Sequence, residues 1–293
     1  MNDSIKKILA ALLCAALALT AFGVMPHAQQ TRDPINFVVL GDSIAEGARA
    51  LFDCNQYADR IANDRGYALQ NFGKGGDTSA TLLQKVAQDE EIREAIRRAD
   101  IIEISIGGND FYPSVYLIAT GLLGDTGWME PRRDALRENF GAAIDEIRAL
   151  KKSDALLVVQ TLYNPAFTFL PPTAVGMYGE VVDGINGVIR GYLAAHPGAY
   201  RIADVHAAFQ GRHGLVFIDM VHPTGFGHGV IAAVIGAAID GTQPPQPGVI
   251  DRALDFLVLL LRPLTLLADW GIVGALGLIR DRMPSVWAWM MEL

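Results

Sequence analysis

The sequence is short of cysteine. Its 293 residues contain 2 cysteines, Cys14 and Cys54. Cys14 lies in an N-terminal segment with the features of an export signal, so Cys54 would be alone after cleavage. No intrachain disulfide is therefore expected, although export would permit one. A lone cysteine is more often a small buried residue than a nucleophile, and we interpret Cys54 in that way.

The sequence also has no run rich in lysine and arginine. Lys and Arg number 24 against 32 for Asp and Glu, which gives a formal net charge of −8, and the acidic residues are scattered. Because phosphate contacts need a basic surface, the composition argues against a nucleic-acid partner. The hydrophobic share of 51% is enough for one α/β domain with a full core.

Residues 1–28 are predicted to be a signal peptide or an N-terminal anchor. Lys6 and Lys7 precede the uncharged apolar run of residues 8–24, and small residues that suit cleavage follow it. A basic start, an apolar core and a small-residue cleavage site are the features of a secretory signal. Because the run is long for a signal core, an uncleaved anchor stays open. We predict a periplasmic or extracellular location, with membrane association as an option.

Short apolar runs alternate with helical patterns over residues 33–240. The predicted strands are rich in apolar, often β-branched residues: 35–40, 68–72, 101–106, 155–162 and, more weakly, 200–205. Helices are predicted over 44–51, 131–150 and 179–195. This alternation indicates an α/β domain with a mostly parallel sheet covered on both faces. Such sheets bind ligands at the carboxyl ends of their strands.

Residues 241–248 form a Pro- and Gly-rich linker, and an apolar extension follows over residues 249–293. In residues 249–262 the charged side chains fall on one narrow helical face, which predicts an amphipathic helix. Charged residues and a proline interrupt any stretch of membrane length. Three interpretations stay open: packing against the domain or a second subunit, contact with a membrane surface, and a true span.

Polar motifs follow the first three predicted strands. Gly-Asp-Ser places Ser43 between a strand and a helix, where free backbone N–H groups favour developing negative charge. NFGKGGDTS follows the second strand, and its glycines let a backbone N–H, that of Gly76, approach a bound group. SIGGND ends the third strand, and Asn109 offers an amide that can stabilise an oxyanion. Each motif alone is better explained as an ordinary turn.

The fourth motif, DMVHPTGFGH, pairs Asp219 with His222. A carboxylate three residues before an imidazole can hold one tautomer and stabilise the imidazolium, whereas the simpler interpretation is a loop histidine that bonds a backbone group. The spacing of four neighbouring histidines matches no zinc signature: His206, His213, His222 and His228. No metal and no cofactor are therefore expected. A nucleophile, oxyanion donors and an Asp–His pair together are the parts that acyl transfer needs.

In this order the four motifs resemble the SGNH, or GDSL, hydrolase superfamily, which includes lysophospholipase-like lipases and esterases. GDS, NFGKGGDT, GGND and DMVHPT carry the resemblance, which covers most of the predicted domain. It implies a flavodoxin-like three-layer α/β/α sandwich with a parallel sheet. It also implies ester hydrolysis, with Ser43 as the nucleophile, His222 as the base and Asp219 as the residue that orients it. The Ser43 N–H, the Gly76 N–H and the Asn109 amide would form the oxyanion hole.

The predicted function is an exported serine esterase that forms an acyl-serine intermediate. Two apolar segments, residues 111–129 and 163–178, would lie beside the site as loops, and an acyl pocket needs such lining. They would equally suit packing on the core. The expected substrate is a small-molecule or lipid ester. Alternatives on the same fold are an acyltransferase, a carbohydrate deacetylase and a membrane-associated binding protein without catalysis.

Overall fold

The structure is a computed structural model. It describes residues 33–48, 56–111, 126–165, 172–212, 215–216, 221–246 and 283. The chain divides into two compact units, Met1–Asp33 and Pro34–Leu293, and every element named below belongs to the second. Strands and helices are numbered in chain order among the described residues.

A five-stranded sheet forms the centre of the fold. Its strands are β1 (Asn36–Gly41), β2 (Ala68–Asn71), β3 (Ile101–Ser105), β4 (Leu156–Gln160) and β5 (Arg201–Ala203). Their spatial order is β2-β1-β3-β4-β5, and every neighbouring pair is parallel. All five predicted strands are confirmed, with β1 shifted by one residue toward the C-terminus and the others shorter than predicted. The order of the strands reverses between β1 and β3, and ligands bind at such a switch point.

Helices cover both faces of this sheet. They are α1 (Ser43–Glu46), α2 (Tyr57–Arg65), α3 (Ser79–Gln88), α4 (Glu90–Arg98), α5 (Met129–Leu150), α6 (Pro172–Ala195), α7 (Val205–Phe209) and α8 (Gly225–Asp240). Alternate residues of β1 point to opposite faces. Val38 and Leu40 join the core with α3 to α6, whereas Phe37 and Val39 join the core with α2, α7 and α8. The result is a three-layer α/β/α sandwich, which confirms the predicted fold class.

All three predicted helices have different bounds in the structure, and the one expected over 131–150 begins two residues earlier, at Met129. The helix expected over residues 44–51 ends at Glu46, because Gly47 adopts the left-handed region with φ of 89° and caps it. The helix expected over 179–195 begins seven residues earlier, at Pro172. Proline suits the first turn of a helix, where its missing N–H costs no hydrogen bond. Part of the segment predicted as an apolar loop is therefore helical.

The last helix, α8, has no counterpart in the sequence prediction. Its first five residues include three glycines, which are weak helix formers. The helix nevertheless begins there because the Thr224 side chain caps it, accepting from the Gly227 N–H over 3.1 Å. The fourth motif thus ends inside a helix and not in a loop.

Several predictions fall outside the described residues. These are the signal or anchor at residues 1–28, the lone Cys54, and the extension at 249–293 apart from Met283. The domain bounds therefore stay predictions. Among the helices that the structure describes, none combines the length and the apolar character needed to cross a membrane.

Candidate active site

β1 turns sharply into α1 at Gly41 and Asp42. Gly41 has φ of 138°, and a Cβ there would lie 1.9 Å from the carbonyl oxygen of Ser105, so the turn packs against the end of β3. The Asp42 N–H donates to that carbonyl over 3.0 Å. The Asp42 carboxyl also accepts from the Ile44 N–H over 3.0 Å and so caps α1. Glycine at this turn lets Ser43 emerge at the switch point between β1 and β3.

Ser43 and His222 meet at this turn, although 179 positions separate them in the sequence. Ser43 Oγ lies 2.9 Å from His222 Nε2. This is the distance expected between a nucleophile and its general base. Asp219, predicted to orient the base, lies outside the described residues. The structure thus brings together two of the three residues predicted to carry the chemistry.

The loop after β2 packs against the same turn. The Lys74 N–H donates to the Gly41 carbonyl over 2.9 Å, and the Gly75 N–H donates to the Glu46 carboxylate over 2.9 Å. The next N–H along this loop belongs to Gly76. In the described part of the chain, neither the Gly76 N–H nor the Ser43 N–H donates to a protein acceptor. No described protein acceptor therefore occupies these two predicted oxyanion donors.

Asn109 lies at the end of β3 and faces the same cavity as Ser43. Its Nδ2 donates to the Asp77 carbonyl over 2.8 Å. A side-chain amide has two N–H bonds, so this contact uses one and leaves the other for a ligand. The contact also fixes the direction in which the amide points, as a preorganised oxyanion donor requires.

A second contact joins the loop after β2 to the turn after β3. The Asp110 carboxylate accepts from the Ser79 N–H over 2.9 Å and from the Ser79 hydroxyl. Burial raises the pKa of Asp110 above its usual range. Sequence reasoning singled out Asn109 and Gly76 but missed this pair that ties their two loops together. The sequence signal for this pair was the presence of further polar residues in the motifs GGND, which ends at Asp110, and GDTS, which ends at Ser79.

An apolar cavity opens from Ser43. It encloses about 200 Å³. Its apolar lining among the described residues comes from the segments after β3 and β4, from the residue before α5 and from α6, and includes Phe111, Trp128, Leu162, Tyr163, Met177, Val181 and Ile185. The predicted apolar segments therefore contribute to this wall through their described residues. A cavity of this kind accepts an apolar group beside the reacting atom.

Two buried carboxyls lie beneath Ser43. Glu103, in the middle of β3, is 0% exposed and accepts a hydrogen bond from the Tyr57 hydroxyl over 2.6 Å. Burial, with a smaller contribution from the nearby Asp42, raises the pKa of Glu103 to about 8, although the hydrogen bond from Tyr57 opposes this shift. Burial likewise raises the pKa of Asp42 to about 7, with smaller contributions from the neighbouring acidic side chains. Both groups therefore hold a proton in weakly acidic solution.

The Glu103 carboxyl is expected to make the protein less stable as the pH rises. Its folded pKa is raised above the ordinary 4.5. From about pH 5 to pH 8 the folded state therefore keeps a proton that the unfolded state has lost. The free energy of unfolding then falls by about 1.4 kcal/mol per pH unit for each such carboxyl. Glu103→Gln removes one titrating group. The free energy of unfolding, measured by urea denaturation, should therefore depend less steeply on pH in the variant.

This comparison is best made from pH 6.5 to pH 8. Burial lowers the pKa of His228 to about 4, so stability from this residue is lost as the pH falls below 6.5, which opposes the carboxyl effect there. Glu138→Gln makes the same chemical change at an exposed position and is the matched control. If the free energy of unfolding of Glu103→Gln fell with pH as steeply as that of the wild type, the prediction would be wrong.

The other described histidines bond backbone oxygens. His228 Nε2 lies 3.2 Å from the Ala48 carbonyl, and His206 Nδ1 lies 3.1 Å from the Leu162 carbonyl. His213 lies outside the described residues. Within the ranges that the structure describes, no group of three or more His, Cys, Asp or Glu residues could hold a metal ion.

Residues 39–230 match a family model described as the GDSL-like Lipase/Acylhydrolase family. This match confirms the resemblance that the four motifs indicated. A curated relative, uncharacterized protein YpmR of Bacillus subtilis (strain 168), is 28% identical over 231 residues, which are 75% of this chain and 87% of the relative.

Solved structures agree with the fold. The lipase Lip_vut3 from a goat rumen metagenome has a TM-score of 0.57 and 22% identity, and covers 70% of this chain and 97% of its own. Phospholipase A1 from Streptomyces albidoflavus NA297 has a TM-score of 0.56 and 20% identity, and covers 70% of this chain and 100% of its own. At these identities the likeness shows the shared fold.

Proposed function

The chain belongs to the GDSL-like lipase and acylhydrolase family, and from this premise we propose that it hydrolyses carboxylic esters through an acyl-serine intermediate. The observation that carries the proposal is the 2.9 Å contact between Ser43 Oγ and His222 Nε2 at the mouth of an apolar cavity. A hydroxyl is a weak nucleophile at neutral pH, and a neighbouring imidazole activates it.

The reaction begins when Ser43 Oγ attacks the ester carbonyl carbon and its proton passes to His222 Nε2. The carbonyl oxygen becomes an oxyanion, which accepts from the Ser43 N–H, the Gly76 N–H and the Asn109 amide. The tetrahedral intermediate then expels the alcohol oxygen, which takes the proton from His222, and an acyl-serine remains. Water attacks this ester in turn, losing a proton to His222, which returns it to Ser43 Oγ as the acid leaves. Asp219 would orient the imidazole.

The substrate is proposed to be a lipid or other acyl ester. The cavity that starts at Ser43 is lined largely by aliphatic and aromatic side chains, which favour an alkyl chain over a sugar. Two proteins of the same fold are a lipase and a phospholipase A1. We also propose export, because Lys6 and Lys7 precede an apolar run. We further propose that residues 249–293 contact a membrane or mediate self-association.

The test is hydrolysis of p-nitrophenyl esters from acetyl to palmitoyl. Val181 lines the cavity at a half-buried position of α6. Val181→Trp would fill space that an acyl chain needs. We expect the ratio of kcat/KM for the octanoyl ester to kcat/KM for the acetyl ester to fall about tenfold. One or two methylene groups in an apolar pocket change kcat/KM by about this factor.

Leu193→Trp is the matched control, because Leu193 is a half-buried apolar residue of the same helix. It should leave the ratio of octanoyl to acetyl hydrolysis unchanged. An equal loss for both esters in Val181→Trp would remove the argument for an acyl chain in this cavity. No hydrolysis of any ester by the wild-type protein would contradict the proposed function itself.

A further inference from the structure

Tyr163 joins the wall of the cavity to the segment that carries His222. It follows β4, it is 4% exposed, and it lines the cavity. Its ring stacks on Phe209, with the ring centres 4.3 Å apart and the planes 16° apart. Its hydroxyl donates to the Val221 carbonyl over 2.7 Å. Val221 directly precedes His222, so this hydrogen bond reaches the backbone beside the proposed base.

The backbone on the other side of His222 is held separately. Pro223 pairs with Val216 in an isolated antiparallel bridge. The Thr224 N–H donates to the Leu215 carbonyl over 2.8 Å, and the Thr224 hydroxyl donates to the same oxygen over 3.2 Å. Contacts with residues 215–216 therefore hold the chain after His222, whereas the Tyr163 hydroxyl contacts it directly before His222.

We propose that Tyr163 is a positioning residue for the base, an inference that rests on the proposed function. Its hydroxyl holds the Val221 carbonyl so that His222 Nε2 stays within hydrogen-bond distance of Ser43 Oγ. The stacked Phe209 ring holds the phenol in turn, which makes this support rigid. A displacement of about 1 Å at a reacting group can cost about 100-fold in rate, so one such anchor has a measurable effect.

The test is Tyr163→Phe, which removes the hydroxyl and keeps the ring that lines the cavity and stacks on Phe209. We expect kcat to fall between about 10- and 100-fold, with KM changed less than twofold. The rate at which a fluorophosphonate labels Ser43 should fall in parallel, because that step also needs the base. The loss should be equal for acetyl and octanoyl esters, since both need His222.

Tyr200→Phe is the matched control. The Tyr200 hydroxyl also donates to a backbone carbonyl, that of Ile189, and Tyr200 is buried at 6% exposure. Both variants lose one tyrosine hydroxyl from a buried contact, so thermal unfolding and far-UV circular dichroism should change similarly. Only Tyr163→Phe should lose kcat.

The outcomes separate this inference from the proposed function. If the wild-type protein hydrolyses esters and Tyr163→Phe keeps kcat within twofold, the positioning role is overturned while the function stands. A loss that grows with acyl chain length would assign Tyr163 to the pocket alone and would also overturn it. If Ser43 takes no part in hydrolysis, the proposed function itself is wrong, and the positioning role of Tyr163 is wrong with it.

Discussion

Ser43→Ala is expected to lower kcat roughly 10⁴- to 10⁶-fold, the range that loss of a serine nucleophile produces in other hydrolases. Alanine has no oxygen to attack the carbonyl, and the oxyanion donors alone give only the residual rate. The free energy of unfolding should stay within about 0.5 kcal/mol of the wild-type value. The reason is that the Asp42 side chain, and not Ser43, caps α1.

The measurement is ester hydrolysis together with mass spectrometry after treatment with a fluorophosphonate. Wild-type protein should gain one adduct, located on Ser43, and the variant should gain none. Ser153→Ala makes the same change in an exposed turn and should keep both the rate and the adduct. A variant that retains a tenth of wild-type turnover in a pure preparation would mean that another group is the nucleophile.

The strands and the place of the site could be predicted from the sequence for one physical reason. Strands buried on both faces are nearly continuous apolar runs, and parallel strands end at one edge. Ser43 and Asn109 each follow such a run directly, so their meeting at this edge follows from the topology. The loop that carries Gly76 follows β2 and reaches the same turn through backbone hydrogen bonds.

The supporting contacts could not be predicted in this way. Tyr163 bonds a carbonyl 58 positions away, and Asp110 bonds Ser79 across 31 positions. Neither pair has a periodicity or a spacing that predicts the contact, although Asp110 and Ser79 each adjoin a polar motif. Such contacts depend on where two loops come to rest after the sheet has formed, and they belong to packing and not to local propensity.

The lining of the cavity shows a different limit. Met177, Val181 and Ile185 recur every four residues along α6, and all three line the cavity. Spacing of this kind marks one face of a helix. It cannot separate a face that packs on the core from a face that borders a ligand cavity, because both are apolar. The sequence left these alternatives equal for the segment that ends at Tyr178, and in the structure Met177 and Ile185 belong to the core and line the cavity as well.

Asn109→Ala is expected to lower kcat between about 100- and 1,000-fold with little change in KM. A donor that meets the oxyanion contributes mainly in the transition state, where the negative charge develops. The expected loss corresponds to about 2.7–4 kcal/mol of transition-state stabilisation. Steady-state kinetics on the best ester of the panel give both constants.

The same substitution also removes a structural contact, and this effect can be separated from catalysis. Alanine leaves the Asp77 carbonyl without the donor it has at 2.8 Å, which costs about 1–3 kcal/mol of folding free energy where the carbonyl is buried. Asn36→Ala is the control, because the Asn36 amide donates to the Arg98 carbonyl at the opposite end of β1. That variant should lose stability alone.

Asn109→Asp tests the charge at this position. It keeps the size of the side chain but places an acceptor where the oxyanion needs a donor, so its kcat should fall at least as far as that of Asn109→Ala at neutral pH. If both variants raised KM and left kcat near the wild-type value, Asn109 would be binding the ground-state ester. The oxyanion would then depend on the Ser43 and Gly76 N–H groups alone.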